Sequence, residues 1–335
     1  MKKIIVCCNQ FTNIGNAFYM LSVLKDLSKV YQGKAQVIPG EDIPPPSFKG
    51  RIFRNLGYFQ VFNFYDIDWY VISGPVFYKR FSERWSSQLE LLSKRGVRIV
   101  IMSAGSNYYD QEEVEICRKE LKRIKPYLLI TRDSETFQAY NDLFQYSYNG
   151  ICAAFFSSFH FQGIKKINLG PYAVFGFETS TEPKVQIYQS SSGQIKVEVD
   201  KNSVEKMNKF RQLITSIKSY PSFIDNIKII RPHHGVCGVI SNEVFNRPNR
   251  HFSLNPYSYL DIYSGAEFTL SQRVHACVAS LSYGNRAMLF KDTKRCNLFK
   301  RTGVPEITQK LVSLPNGYLE MEYQKYLDFL RTVPI

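Results

Sequence analysis

The chain is 335 residues long, 44% hydrophobic and 21% charged, a mixture that excludes a wholly disordered chain and suits two folded domains. Lys and Arg outnumber Asp and Glu by 43 to 29, and the resulting formal charge of +14 favours phosphate, carboxylate, nucleic acid or an acidic membrane surface as partner. Seven cysteines without a C-x-x-C pair, two of them adjacent at Cys7 and Cys8, make a poor disulfide framework and point to a reducing, cytoplasmic location; no apolar run approaches the roughly 20 residues of a bilayer span.

In chain order, the apolar runs 4–8, 69–72, 97–102 and 127–131 predict buried strands, because continuous runs of this length suit a sheet covered on both faces. Helical spacing predicts helices over 17–30, 83–95, 110–125 and 134–144, with Gly96 and Pro126 as stop signals. The alternation implies a parallel, Rossmann-like sheet. It breaks near Asn149, where the glycine-rich stretch 150–199 predicts a crossover and a hairpin of 185–188 with 195–199 around the SSSG turn. Alternation then resumes with helix 202–219, strand 227–230, helix 256–264, strand 268–270, helix 274–281 and strand 287–290, and a last helix spans 317–330. The expected fold is therefore α/β, with two Rossmann-like domains at 1–160 and 161–335 and the final helix free to pack on either.

Chemistry concentrates at predicted strand ends. In open α/β sheets ligands bind at the carboxyl ends of strands, where free N–H groups and the helix dipole attract anions. The segment SQRVHACVASLSYGN at 271–285 puts Arg273 and His275 at such a place, followed by small residues that let the helix approach the sheet. Arg132 and Asp133 follow the strand 127–131; Asp133 either orients Arg132 or caps the next helix. Arg231, His233 and His234 in IIRPHHG follow 227–230, while Lys291, Lys294 and Arg295 follow 287–290 and are either a ligand-facing or a solvated loop. Asn13, Gly15 and Asn16 lie in the first βα turn, where Gly15 permits close backbone approach and Asn16 suits helix capping as well as binding. The turn SAGS at 103–106 resembles a phosphate-binding turn without the spacing of a nucleotide fingerprint. His160 and His251 read as isolated, and no cluster has metal-ligand spacing, so no metal is expected. The aromatic group Tyr58, Phe59, Phe62, Phe64 and Tyr65 suits core packing more than a sugar-stacking lip.

The R-x-H-A element with its G-N-R turn, preceded by PYSYLDIYSGAEFTLS, resembles the signature of the polysaccharide pyruvyl transferases. NIGN at 13–16 is similar to that family's N-x-G-D loop, with Asn16 in place of the acid, and TRDS at 131–134 resembles its R-D segment. NGICAAFF at 149–156 lacks the carboxylate that the family usually carries there. The resemblance implies a GT-B-like fold whose two domains face a cleft, acceptor side first and donor side second. It implies transfer of the pyruvate unit of phosphoenolpyruvate onto two hydroxyls of a sugar as a ketal, with no cofactor beyond that co-substrate.

On this reading His275 and Arg273 are catalytic, and Asn13, Gly15 and Asn16 bind the acceptor. Arg132, Arg273, Lys291, Lys294, Arg295, Arg231 and His233 bind the donor, because a carboxylate beside a phosphate calls for several fixed cations. The acceptor is a sugar or a lipid-linked glycan, with peripheral contact to an anionic membrane as a further expectation. A nucleotide-sugar glycosyltransferase of GT-B fold is the alternative. A noncatalytic polyanion binder is the second, although the cations are spread through both halves and no RNA-binding motif is present, so nucleic acid is not an expected partner.

Overall fold

A computed structural model describes residues 1–8, 13–40, 64–189, 195–205, 220–235, 247–291 and 293–335. Six parallel strands, β1 (Lys2–Cys7), β2 (Ala35–Gly40), β3 (Trp69–Ser73), β4 (Arg98–Ala104), β5 (Leu128–Thr131) and β6 (Tyr146–Asn149), form one sheet in the order β2-β1-β3-β4-β5-β6. Helices α1 (Ile14–Val30), α2 (Ser87–Lys94), α3 (Gln111–Ile124) and α4 (Ser134–Tyr140) belong to this half. Successive side chains enter opposite layers, as a strand's period of two requires: Ile4 and Val6 join one core, Ile5 and Cys7 the other.

The second half is reached through a short helix α5 (Ser157–His160). Its strands are β7 (Tyr172–Gly176), β8 (Lys184–Gln189), β9 (Ile195–Asp200), β10 (Phe223–Ile224), β11 (Ile227–Pro232), β12 (Arg250–His251), β13 (Phe268–Ser271) and β14 (Arg286–Leu289). The sheet order is β10-β11-β7-β13-β14, parallel except for β10, and β8 pairs with β9 as a separate hairpin. Helices α6 (Pro256–Ser264), α7 (Val274–Ser282), α8 (Asn297–Arg301) and α9 (Tyr318–Thr332) complete it. Ala276, Cys277, Val278 and Ala279 of α7 are fully buried in the core that also holds Phe18 and Val23 of α1, so one apolar layer is continuous across both halves.

The last helix packs back on the first half. Tyr31 Oη donates to the carbonyls of Leu330 (3.0 Å) and Val333 (3.2 Å), and Tyr323 Oη donates to buried Asp26 at 2.9 Å. His160 is not isolated: its Nε2 lies 2.8 Å from the same Asp26 carboxylate.

Five strands lie outside the sequence expectation. β10 and β12 are two residues each, too short for a periodic signal, β2 and β6 are edge strands, and β7 is a five-residue run inside the glycine-rich crossover, yet it sits centrally between β11 and β13. The helix expected over 83–95 begins as a π-helical turn, Ser82–Ser86, and the one over 134–144 tightens into a 3-10 turn after Tyr140. Of the helix expected over 202–219, residues 206–219 lie outside the described residues, as do Tyr58, Phe59 and Phe62 of the aromatic group; Phe64 is exposed and Tyr65 packs against a core.

Candidate active site

The two sheets present their carboxyl ends to each other. The loop after β1 crosses to the loop after β11 through a bridge between Asn13 and Gly235, with Ile14 N donating to His234 O at 3.0 Å. Between the loops lies a cavity of about 320 Å³, whose walls include Asn13, Gly15, Asn16, Arg132, His234, Arg273, His275, Lys291 and Arg295. Two larger depressions, about 560 and 470 Å³, lie beside the amino ends of β4 and β5 and beside the α5–β7 connection; neither joins the strand ends of both sheets.

Arg132 is delivered by β5, its N–H still bonded to Ala104 O at 2.9 Å. Only 2% of the residue is exposed, and Nε and Nη2 have no hydrogen-bond partner among the described residues. Asp133 does not serve it. That carboxylate caps α4 by accepting from Thr136 N at 2.7 Å and takes the Tyr109 hydroxyl at 2.9 Å. Gly105, in the SAGS turn, lies against the guanidinium so closely that a Cβ there would stand 2.2 Å from Arg132 Nε. A buried cation without partners is costly, since the desolvation penalty goes unanswered. An anion in the cavity would answer it.

His275 sits in the first turn of α7, its Nε2 3.9 Å from Cys152 Sγ and its ring against Tyr19. Burial first, then the Arg132 guanidinium, then His234 and Arg295, hold its imidazole well below the ordinary histidine range, so it is neutral at pH 7. Gly15 makes room for it: a Cβ at Gly15 would be 2.9 Å from His275 Cβ. Asn16 lies inside α1 rather than at its cap; Asn13 holds the cap position, and its side chain makes no capping bond. His234 is 1% exposed and shares a 2.6 Å hydrogen bond between Nε2 and Tyr263 Oη, while burial pushes its pKa down to about 3.

Arg273, at the cap position of α7, is paired with Glu178, whose other oxygen accepts from His234 N at 2.7 Å. Glu178 lies two residues beyond β7, and the overlooked strand hid it; a carboxylate at a strand's carboxyl end was the available signal. Arg295 donates to Asn107 Oδ1 across the cleft, and burial with the nearby Arg132 charge lowers its pKa.

Three expected donor residues are elsewhere. Arg231 is committed to a buried ion pair, Nε to Glu182 Oε1 at 2.7 Å and Nη2 to Oε2 at 2.9 Å, with Pro248 O and Pro221 O taking further donors. His233 turns away, its Nδ1 accepting from Gly235 N at 3.2 Å and its ring against Phe252; it is His234 that faces the cavity. Lys294 is exposed and does not line the cavity, whereas Lys291 and Arg295 on either side do. Lys294 and Arg295 follow each other in a 3-10 turn, Lys294–Cys296, whose three residues per turn point neighbouring side chains in different directions.

The model of the family described as polysaccharide pyruvyl transferase matches residues 13–289. No curated protein matches the chain. Among solved structures, the S. aureus MnaA–UDP complex is similar with a TM-score of 0.54 at 13% identity, covering 99% of this chain and 90% of that one. The UDP-GlcNAc 2-epimerase of Neisseria meningitidis bound to UDP-GlcNAc is similar with a TM-score of 0.50 at 12% identity, covering 100% and 95%. At such identities the likeness concerns the fold alone, and that fold is the GT-B-like pair of Rossmann domains.

Proposed function

Because this chain belongs to the polysaccharide pyruvyl transferase family, we propose that it uses phosphoenolpyruvate to build a pyruvate ketal on two hydroxyls of a glycan sugar. The observation that carries the donor assignment is Arg132: a buried guanidinium whose Nε and Nη2 have no partner among the described residues, close enough to Arg295 to lower its pKa. The two like charges repel, and a donor bearing phosphate and carboxylate relieves both the repulsion and the desolvation of Arg132. Arg273 and Lys291 add to the same field, with Arg273 braced by Glu178.

His275 enters as a neutral base. It takes the proton of the attacking sugar hydroxyl and passes it to the methylene carbon of the enol, so that C2 becomes electrophilic as the first C–O bond forms. The C2–O bond to phosphate then breaks. The second hydroxyl adds to C2, and its proton leaves on the released phosphate, which balances the reaction. The fixed guanidinium groups stabilise the departing anion. Asn13, Asn16 and the backbone at Gly15 face the same cavity and are suited to sugar hydroxyls. The reading places the protein in the cytoplasm, acting on a free or lipid-linked glycan, and the +14 charge supports contact with an anionic leaflet. Among the described residues no helix is long and apolar enough to cross a membrane.

The test is a melting-temperature titration with phosphoenolpyruvate and, separately, a panel of sugar nucleotides. A ligand bound by the native state alone raises the midpoint. Phosphoenolpyruvate should raise it in the wild type and in His275→Gln but not in Arg132→Ala or Arg273→Ala, and His275→Gln should stop turnover. A rise with a sugar nucleotide and none with phosphoenolpyruvate overturns the assignment.

A further inference from the structure

The walls of the cavity differ in chemistry. Arg132, Arg273, Lys291 and Arg295 supply cations, whereas part of the first-domain wall is formed by Pro75, Asn107 and Tyr108. Tyr108 keeps 53% of its surface exposed although it is one of the larger apolar side chains of the protein. Its backbone is fixed. The carboxylate of Glu113, which is fully buried, accepts from the N–H groups of Asn107 (3.1 Å), Tyr108 (3.0 Å) and Tyr109 (3.0 Å) in succession. Tyr109, next in line, takes φ of 56° and anchors its hydroxyl on Asp133. The Lys79 ammonium stands 5.6 Å from the Tyr108 ring centroid and is itself held by Asp110 at 3.1 Å and by Glu112. An exposed aromatic side chain on so constrained a loop is presented rather than merely left over.

We propose that Tyr108, with Asn107 and Pro75, is the platform on which the acceptor hexose ring stacks, in the same cavity as the donor held by Arg132. A pyranose has one face lined with C–H groups and a rim of hydroxyls, which matches a flat apolar ring beside an amide. This inference rests on the pyruvyl-transfer reading for the donor held by Arg132, though the sugar platform itself does not.

Saturation-transfer NMR tests it with methyl β-galactoside, methyl β-glucoside and methyl α-mannoside, on full-length protein in inorganic phosphate. At least one glycoside should receive saturation at its ring C–H protons. In Tyr108→Ala the transfer should fall about five- to tenfold, the scale of one lost aromatic stacking contact, while Tyr108→Phe retains it. Both variants should melt with the wild type and keep its phosphoenolpyruvate shift. No transfer to any glycoside in the wild type, or equal transfer in Tyr108→Ala, overturns the platform. A missing phosphoenolpyruvate shift alongside Tyr108-dependent transfer would instead remove the donor assignment and leave the sugar platform standing.

Discussion

Gly105→Ala should disable the donor site without altering any charged residue. The new Cβ would lie 2.2 Å from Arg132 Nε, 2.6 Å from Cζ and 2.7 Å from Nη2. Ordinary contacts require the guanidinium to retreat by more than about 1 Å, and a misplacement of even 1 Å in a positioning group costs on the order of 100-fold in rate. Losing one charge-assisted hydrogen bond to the donor corresponds to about 1.5–3 kcal/mol, roughly ten- to a hundredfold in affinity. The residue has no left-handed backbone that would strain alanine, so the fold bears only local overpacking, about 1–3 kcal/mol. Isothermal titration of phosphoenolpyruvate at constant ionic strength measures the loss directly. If Gly105→Ala binds as tightly as the wild type while remaining folded, Arg132 is not the anion's anchor and the reasoning from its unpartnered nitrogens fails.

Gly15→Ala should press on His275 from 2.9 Å and lower kcat by about tenfold or more, with little change in donor affinity; steady-state kinetics separates the two. Glu182→Ala strips the carboxylate from buried Arg231 and Arg247 and should cost about 3–5 kcal/mol in urea unfolding; a loss of donor binding without that cost would restore Arg231 to the site. Stability should fall as pH drops below about 6.5, because His234, with a folded pKa of about 3, and His275, held well below its ordinary value, stay neutral in the folded chain while the unfolded chain takes up protons. That stability is complete above pH 6.5 and lost on acidification at up to about 1.4 kcal/mol per pH unit for each such imidazole. Unfolding free energies equal at pH 7 and pH 5 would contradict the burial of both rings.

The strands β1, β3, β4, β5, β11, β13 and β14 were legible because each is a short apolar run followed by a turn, and that pattern depends on local chemistry alone. So was the place of the site, since a parallel sheet sends its ligands to the carboxyl ends of its strands wherever they occur. Arg273 and His275 could be named on that ground, while Arg132 came from its R-D segment within the resemblance that also named the family. Whether a cation at a strand end is spent or available is a different matter. Arg231 and Arg132 look alike in the chain, yet Glu182, 49 positions away, neutralises the first, while Asp133 turns from the second to cap a helix. Only packing brings such distant partners together, because electrostatic pairing depends on separation in space and not along the chain. The same holds for Glu178 beside Arg273 and for the Glu113 carboxylate that holds Tyr108 in the cavity wall. Local sequence therefore determined the elements and the end of the sheet that would work, and the tertiary fold decided which side chains there kept a free charge.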